Sequence, residues 1–350
     1  MKILFAALKH DYGDPQRGPS FEFTNFFDTL QHMSQVEAEL WPIDELILKY
    51  GKERMNQMLL DKVKQEEPDL LFTFLFTDEF DKNVIADISQ HTNTLTLNWF
   101  GDDQWRFAGY SELWAPAFSW IASTDSEAVK KYQRLGLKNV IKTQWACNHF
   151  SYHPVASKKK YGVTFVGQPH SNRRQVIKKL REVGISIDCF GYGWPSGRIF
   201  QDQMVELFSS SAINLNLSNV SFGWSIKSVA KIFLHRHGQK IRLNNFSQMR
   251  QNATNLFTAK HEQMKGRNFE VPGCGGFLLT SYIPELSEYY ELDKEVVVFK
   301  NHEELIQKIK YYLHHNDERQ AVARAGYERT IKDHTYERRF RAIFKTMGLL

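Results

Sequence analysis

Residues 162–190 read GVTFVGQPHSNRRQVIKKLREVGISIDCF. Val163, Thr164, Phe165 and Val166 form a short apolar, β-branched run that stops at Gly167. Val176, Ile177 and Leu180 then recur at the spacing of one helix face, among arginines and lysines. After Gly184 a second apolar run begins at Ile185. The pattern predicts a strand over 162–166, a helix over 173–183 and a strand over 185–190. Parallel strands need a crossover connection, usually a helix, so this succession argues for a parallel sheet covered by helices.

The alternation extends in both directions. Upstream, strands are expected at 3–8, 70–76, 94–100, 119–123 and 140–142, with helices at 22–33, 53–65, 81–90 and 125–135. Phe23, Phe26, Phe27 and Leu30 mark one face of the first helix, and Asp125 or Thr124 is the expected N-cap of the last. Downstream, a helix at 203–209 precedes strands at 213–217, 276–280 and 296–299, then helical sequence over 302–334 and a final segment at 336–347. Between the halves, His153-Pro154 and the triplet Lys158-Lys159-Lys160 read as a solvated linker. The fold class is α/β with two Rossmann-like halves: residues 1–155, residues 160–332, and a C-terminal helix over 333–350 that packs back on the first half. A chain of 350 residues is long enough for both.

Residues 219–263 break the rhythm, with no clear period-2 pattern and a basic stretch at 227–242. Two readings stay open: an insertion of surface helices, or an element that binds the acceptor or touches a membrane. Lys and Arg number 45 against 40 Asp and Glu, a formal charge of +5. That excess suits an anionic small ligand or acidic lipid and is too small to imply nucleic-acid binding. Cys147, Cys189 and Cys274 lie far apart with no metal-ligand spacing, so buried free thiols in a reducing compartment are expected. The start, MKILFAALKHDYG, has an apolar run too short for a signal-peptide core, and no stretch approaches the ~18 apolar residues of a membrane span. The expected location is cytoplasmic.

In open α/β sheets, ligands bind beyond the carboxyl ends of strands. The loop after the first strand, from Lys9 and His10 to Gly18, contains glycine but no GxGxxG, which speaks against a dehydrogenase. After the strand at 94–100 stand Asp102 and Asp103, which suit a sugar hydroxyl, a general base or a divalent ion, or a helix cap. Gly167, with Arg173 at the start of the following helix, suits a phosphate cradle. The densest segment is 265–276, KGRNFEVPGCGG, which holds Lys265, Arg267, Glu270 and four glycines, Gly275 and Gly276 among them. Glycines allow close backbone approach, the cations answer a diphosphate, and a carboxylate accepts ribose hydroxyls.

This segment resembles the C-terminal signature of the CgeB-like (spore-maturation type) group 1 glycosyltransferases. The resemblance continues through Tyr282-Ile283-Pro284-Glu285-Leu286, Lys294-Glu295-Val296-Val297 and the run from Gly326-Tyr327-Glu328-Arg329 to His334-Thr335-Tyr336. It is specific over about residues 160–345 and looser before them. It implies a GT-B architecture of two Rossmann-like domains facing across a cleft, a nucleoside-diphosphate sugar held mainly by the second, no obligatory metal, and an unidentified acceptor. Glu270 matches the second Glu of the E-x7-E motif, which holds the ribose, and Glu262 stands at the position of the first. Gln168 replaces an expected Arg, Arg173 stands where a Lys is usual, and Arg267 is the substitute cation. The implied chemistry is glycosyl transfer, with the leaving diphosphate stabilised by Arg173, Arg267 and backbone N–H groups near Gly275. A sugar-nucleotide epimerase and a non-catalytic nucleotide-sugar-binding protein are the alternatives.

Overall fold

β1 (Lys2–Ala7) is buried at every position but its first, as expected of a strand with sheet on both sides and helices on both faces. In the computed structural model, which describes residues 1–170, 172–217, 234–237, 240–243 and 263–350, it lies inside a six-stranded parallel sheet. β2 (Glu37–Pro42), β3 (Leu70–Thr73), β4 (Leu95–Phe100), β5 (Trp120–Ser123) and β6 (Val140–Lys142) complete that sheet in the order β2-β1-β3-β4-β5-β6. β2 was not anticipated. It is the edge strand, only Trp41 in it is buried, and its sequence EAELWP carries little apolar signal.

A second, five-stranded parallel sheet contains β7 (Tyr161–Val166), β8 (Ile187–Phe190) and β9 (Ser211–Asn216). After β10 (Leu234–His237) and β11 (Lys240–Leu243), it is completed by β12 (Leu278–Ser281) and β13 (Val297–Phe299) in the order β13-β12-β9-β7-β8. The unit that opened the sequence reading is β7, the helix Arg173–Glu182 and β8, with Val176, Ile177 and Leu180 buried against the sheet. β10 and β11 pair antiparallel, so this part of 219–263 is a hairpin where surface helices were one expectation. The remainder of the basic stretch 227–242 lies outside the described residues.

The chain divides into two compact units, Met1–Ser151 with Asp333–Leu350, and Tyr152–Lys332. In the first, the helix Tyr336–Thr346 inserts Phe340 beside Phe26 and Phe72, with ring centroids 5.2 and 5.6 Å apart. Phe26 lies on a stretch expected to be plain α-helix. Residues Glu22–Phe27 instead form a π-helical turn, followed by α-helix over Asp28–His32. The segment Phe107–Ser111 that follows the short helix Asp103–Arg106 is kinked, with Ala108 extended at ψ 123° and Gly109 left-handed at φ 85°. In the linker, Lys159 is not merely solvated. Its ammonium donates to the carbonyls of Ser209 and Ser211 at 2.8 and 2.9 Å. The three cysteines are buried free thiols. Among the described residues no helix is long and apolar enough to cross a membrane.

Candidate functional site

The segment 265–276 folds as a short helix, Arg267–Gly273, between β11 and β12. A buried amide network fixes it. Asn268 donates to Thr280 Oγ1 at 3.2 Å, Asn216 donates to both Asn268 Oδ1 and Thr280 Oγ1, and the Lys265 N–H donates to Asn268 Oδ1. The helix is thereby held beside the ends of β9 and β12.

Its C-terminus explains the glycines differently from the sequence reading. The Gly275 N–H donates to Pro272 O at 2.8 Å and the Gly276 N–H to Val271 O at 3.0 Å. This is the Schellman arrangement, and Gly275 occupies its left-handed position at φ 65°. A Cβ on Gly276 would stand 2.8 Å from both Asn214 Nδ2 and Phe208 O. In this structure these two N–H groups close the helix. Gly167 is committed in the same way. Its N–H donates to Phe190 O at 2.9 Å, and its carbonyl accepts from Trp194 Nε1 at 2.7 Å.

The side chains carry the polar character instead. Glu270 is fully buried, and its Oε2 pairs with Arg267 Nη1. Glu270 Oε1 and Arg267 Nε are buried with no hydrogen-bond partner among the described residues. Burial opposes the charge of Arg267, but the neighbouring Glu270 outweighs it and holds the guanidinium above its usual range. Arg173 donates through Nε to Leu217 O and through Nη1 to Gln168 O, both at 3.0 Å. Burial, and then repulsion from Arg267, lower its pKa. Lys265 turns to Gln263, donating to its Oε1. Glu262 lies outside the described residues.

In the first unit the acidic pair separates. Asp103 is buried, accepting from Ser123 Oγ at 2.6 Å and from the Tyr132 hydroxyl at 3.0 Å. Burial pushes its pKa up to about 6, against the hydrogen bonds from Ser123, Ser111 and Tyr132, while Asp125 adds to the rise. Asp102 lines a cavity of about 230 Å³ together with Glu22, Arg106 and Trp145. Among the described residues, no group of three or more His, Cys, Asp or Glu side chains is placed to hold a metal ion.

Comparison with solved structures covers both units at once. The chain superposes on a sucrose-phosphate synthase from Thermosynechococcus elongatus with a TM-score of 0.61 at 10% identity, covering 99% of this chain and 97% of the other. It superposes on Anabaena Alr3699/HepE, solved in complex with UDP-glucose, with a TM-score of 0.60 at 11% identity over all of both chains. The fold is GT-B. Within this GT-B chain, residues 234–345 match the family model described as glycosyl transferase-like, a stretch that contains Arg267 and Glu270. A curated relative, spore protein CgeB of Bacillus subtilis (strain 168), is 21% identical over 222 residues, which is 62% of this chain and 64% of that protein's length. The resemblance read from the sequence is therefore found by independent routes.

Sequence reasoning did not single out Asn216, Asn268 or Glu22. Nothing in a lone Asn at a strand end marks it as an anchor. Glu22 reads simply as the first polar position of an amphipathic helix.

Proposed function

We propose that the chain is a glycosyltransferase that moves a sugar from a nucleoside-diphosphate sugar to an acceptor hydroxyl, in the synthesis of a polysaccharide or glycoconjugate. The observation that carries the reading is the cluster in the second unit. A buried carboxylate, Glu270, keeps one oxygen unpartnered while the other pairs with the Arg267 guanidinium, and Arg173 adds a second, mostly buried cation in the same unit. In this reading a ribose hydroxyl satisfies Glu270 Oε1, and a diphosphate pairs with Arg173 and Arg267. The same two cations then stabilise the charge that develops on the leaving diphosphate, an electrostatic form of catalysis. In this reading Asp102, which lines the cavity, meets a substrate hydroxyl. The uridine nucleotide bound by the Anabaena protein makes UDP-sugars the first probes.

Thermal melting of the protein with UDP-, GDP-, dTDP- and CMP-linked sugars tests donor binding, since a ligand at a hundred times its Kd stabilises by about 2.7 kcal/mol. NMR of the bound donor, with and without candidate acceptors, then tests the reaction. Transfer only in the presence of acceptor is expected. Epimerised donor in its absence, or tight binding without turnover on any acceptor, would replace this reading.

A further inference from the structure

We propose that a groove along the helix Arg173–Glu182 in the second unit binds a stretch of a carboxylate-bearing polysaccharide. The word polysaccharide rests on the glycosyltransferase reading, but the demand for a chain of anions comes from the groove itself. It holds about 450 Å³ and is lined by Arg174, Ile177, Lys178, Arg181, Glu182 and Trp194. Ile177 and Trp194 are buried and form its floor. It shares no lining residue with the cluster of Arg173, Arg267 and Glu270.

Helical spacing builds the row of cations. Arg174, Lys178 and Arg181 stand at i, i+4 and i+7, on one stripe of the helix and about 6 and 4.5 Å apart along its axis. Two of the three are held in place. Arg174 donates through Nη2 to Gly193 O at 2.8 Å, with its guanidinium 5.2 Å from the centre of the Trp194 ring. Arg181 donates through Nη2 to Ile187 O at 2.9 Å. These acceptors are neutral carbonyls, so the bonds fix the guanidinium groups without cancelling their charge. A fork already held in one orientation loses little further freedom when its other N–H groups meet a carboxylate.

Against the three cations stands one carboxylate, Glu182, with Oε1 3.6 Å from the Lys178 ammonium. Both side chains are exposed, and an exposed pair of this kind contributes little, so a second carboxylate competes for Lys178 readily. Asp188 on β8 does not enter the balance. Arg181 Nη2 reaches Cys189 Sγ at 3.9 Å, so Cys189 faces the helix, and strand alternation turns Asp188 to the other face of the sheet.

The shape decides between occupants. Pockets for small molecules surround the ligand with mainly apolar walls, whereas four of these six lining residues are charged and exposed. A row of fixed cations along an open groove is matched by a row of anions on a chain. A membrane surface is matched less well, because every exposed position of the helix is polar and an interfacial helix needs an apolar face to bury. Lys178 already takes a carboxylate, that of Glu182, which shows the anion geometry the groove accepts.

The test titrates the full chain, without nucleotide, with oligogalacturonates from dimer to octamer by calorimetry. Maltooligosaccharides of equal length are the neutral counterpart. Only the oligogalacturonates are expected to bind, more tightly as they lengthen and more weakly as salt rises. Lys178→Gln is expected to weaken binding about tenfold, as for the loss of one charged hydrogen bond. Lys179→Gln makes the same change of charge at the next position, which lies outside the groove and acts on His302 instead, and is expected to leave the affinity unchanged. Both lysines are exposed, so both variants are expected to melt like the parent. No binding of any oligogalacturonate, equal binding of the neutral series, equal losses in the two variants, or tighter binding to poly-glutamate or to phosphatidylglycerol vesicles overturns the proposal. The melting shift given by UDP is read on the same samples. Its absence in the parent counts against the glycosyltransferase reading and not against this groove.

Discussion

Arg267 and Glu270 stand one helical turn apart, and the guanidinium holds one carboxylate oxygen while leaving the other unpartnered. The unpartnered oxygen is where a nucleotide ribose has something to gain. Glu270→Gln keeps the shape and removes the charge, so UDP affinity is expected to fall about 10- to 100-fold by calorimetry, as for a charged hydrogen bond worth roughly 1.5–3 kcal/mol. Equal affinity in the folded variant would remove Glu270 from the site. Arg267→Ala is a poorer probe, because stranding a buried carboxylate itself costs about 3–5 kcal/mol.

Arg173 is expected to act on the phosphates alone. Arg173→Gln should weaken UDP roughly tenfold and leave UMP nearly unchanged, narrowing the gap between the two. A proportional loss for both nucleotides would mean that Arg173 only braces the Leu217 and Gln168 carbonyls.

Gly276 is expected to matter for stability, not for ligand contact. Gly276→Ala drives a Cβ to 2.8 Å from Asn214 Nδ2 and Phe208 O, and overpacking of this kind costs about 1–3 kcal/mol. Urea unfolding should show the loss, while nucleotide affinity per folded molecule stays at the parent value.

Asp103 gives a signed pH effect. Burial raises its folded-state pKa to about 6, above the ~3.9 of an unfolded chain. Its contribution to stability is therefore greatest below about pH 4, falls as pH rises through 6 and is flat above, a change of roughly 3 kcal/mol. Asp103→Asn removes this slope. The variant should gain stability relative to the parent between pH 4 and pH 8, as measured by denaturant midpoints at both. A constant difference would mean that Asp103 titrates normally.

The strands that sheets bury on both sides were legible, because runs such as Leu70–Thr73 and Val297–Phe299 have no environment other than a core to enter. β2 was not, since an edge strand reading EAELWP leaves its polar residues in water. Local hydrogen bonding also escaped pattern reading. The π-helical turn at Glu22–Phe27 keeps a helix-like sequence while widening the backbone. Glu270 and Arg267 were singled out by their chemistry in a dense segment, and the structure pairs them. The division between Asp102 and Asp103 was hidden, because it depends on Ser123 and Tyr132, which lie 20 and 29 residues from Asp103 in the chain. Gly275 and Gly276 were read as part of a ligand-binding segment, and the Schellman bonds that they make in the structure were not foreseen.

The return of Asp333–Leu350 to the first unit has a consequence for biosynthesis. Phe340 completes an aromatic nucleus around Phe26 and Phe72, yet it leaves the ribosome only after the whole of Tyr152–Lys332. The contiguous second unit has every residue it needs before the first does. The earlier-made sheet therefore lacks part of its aromatic packing until the last helix has been made.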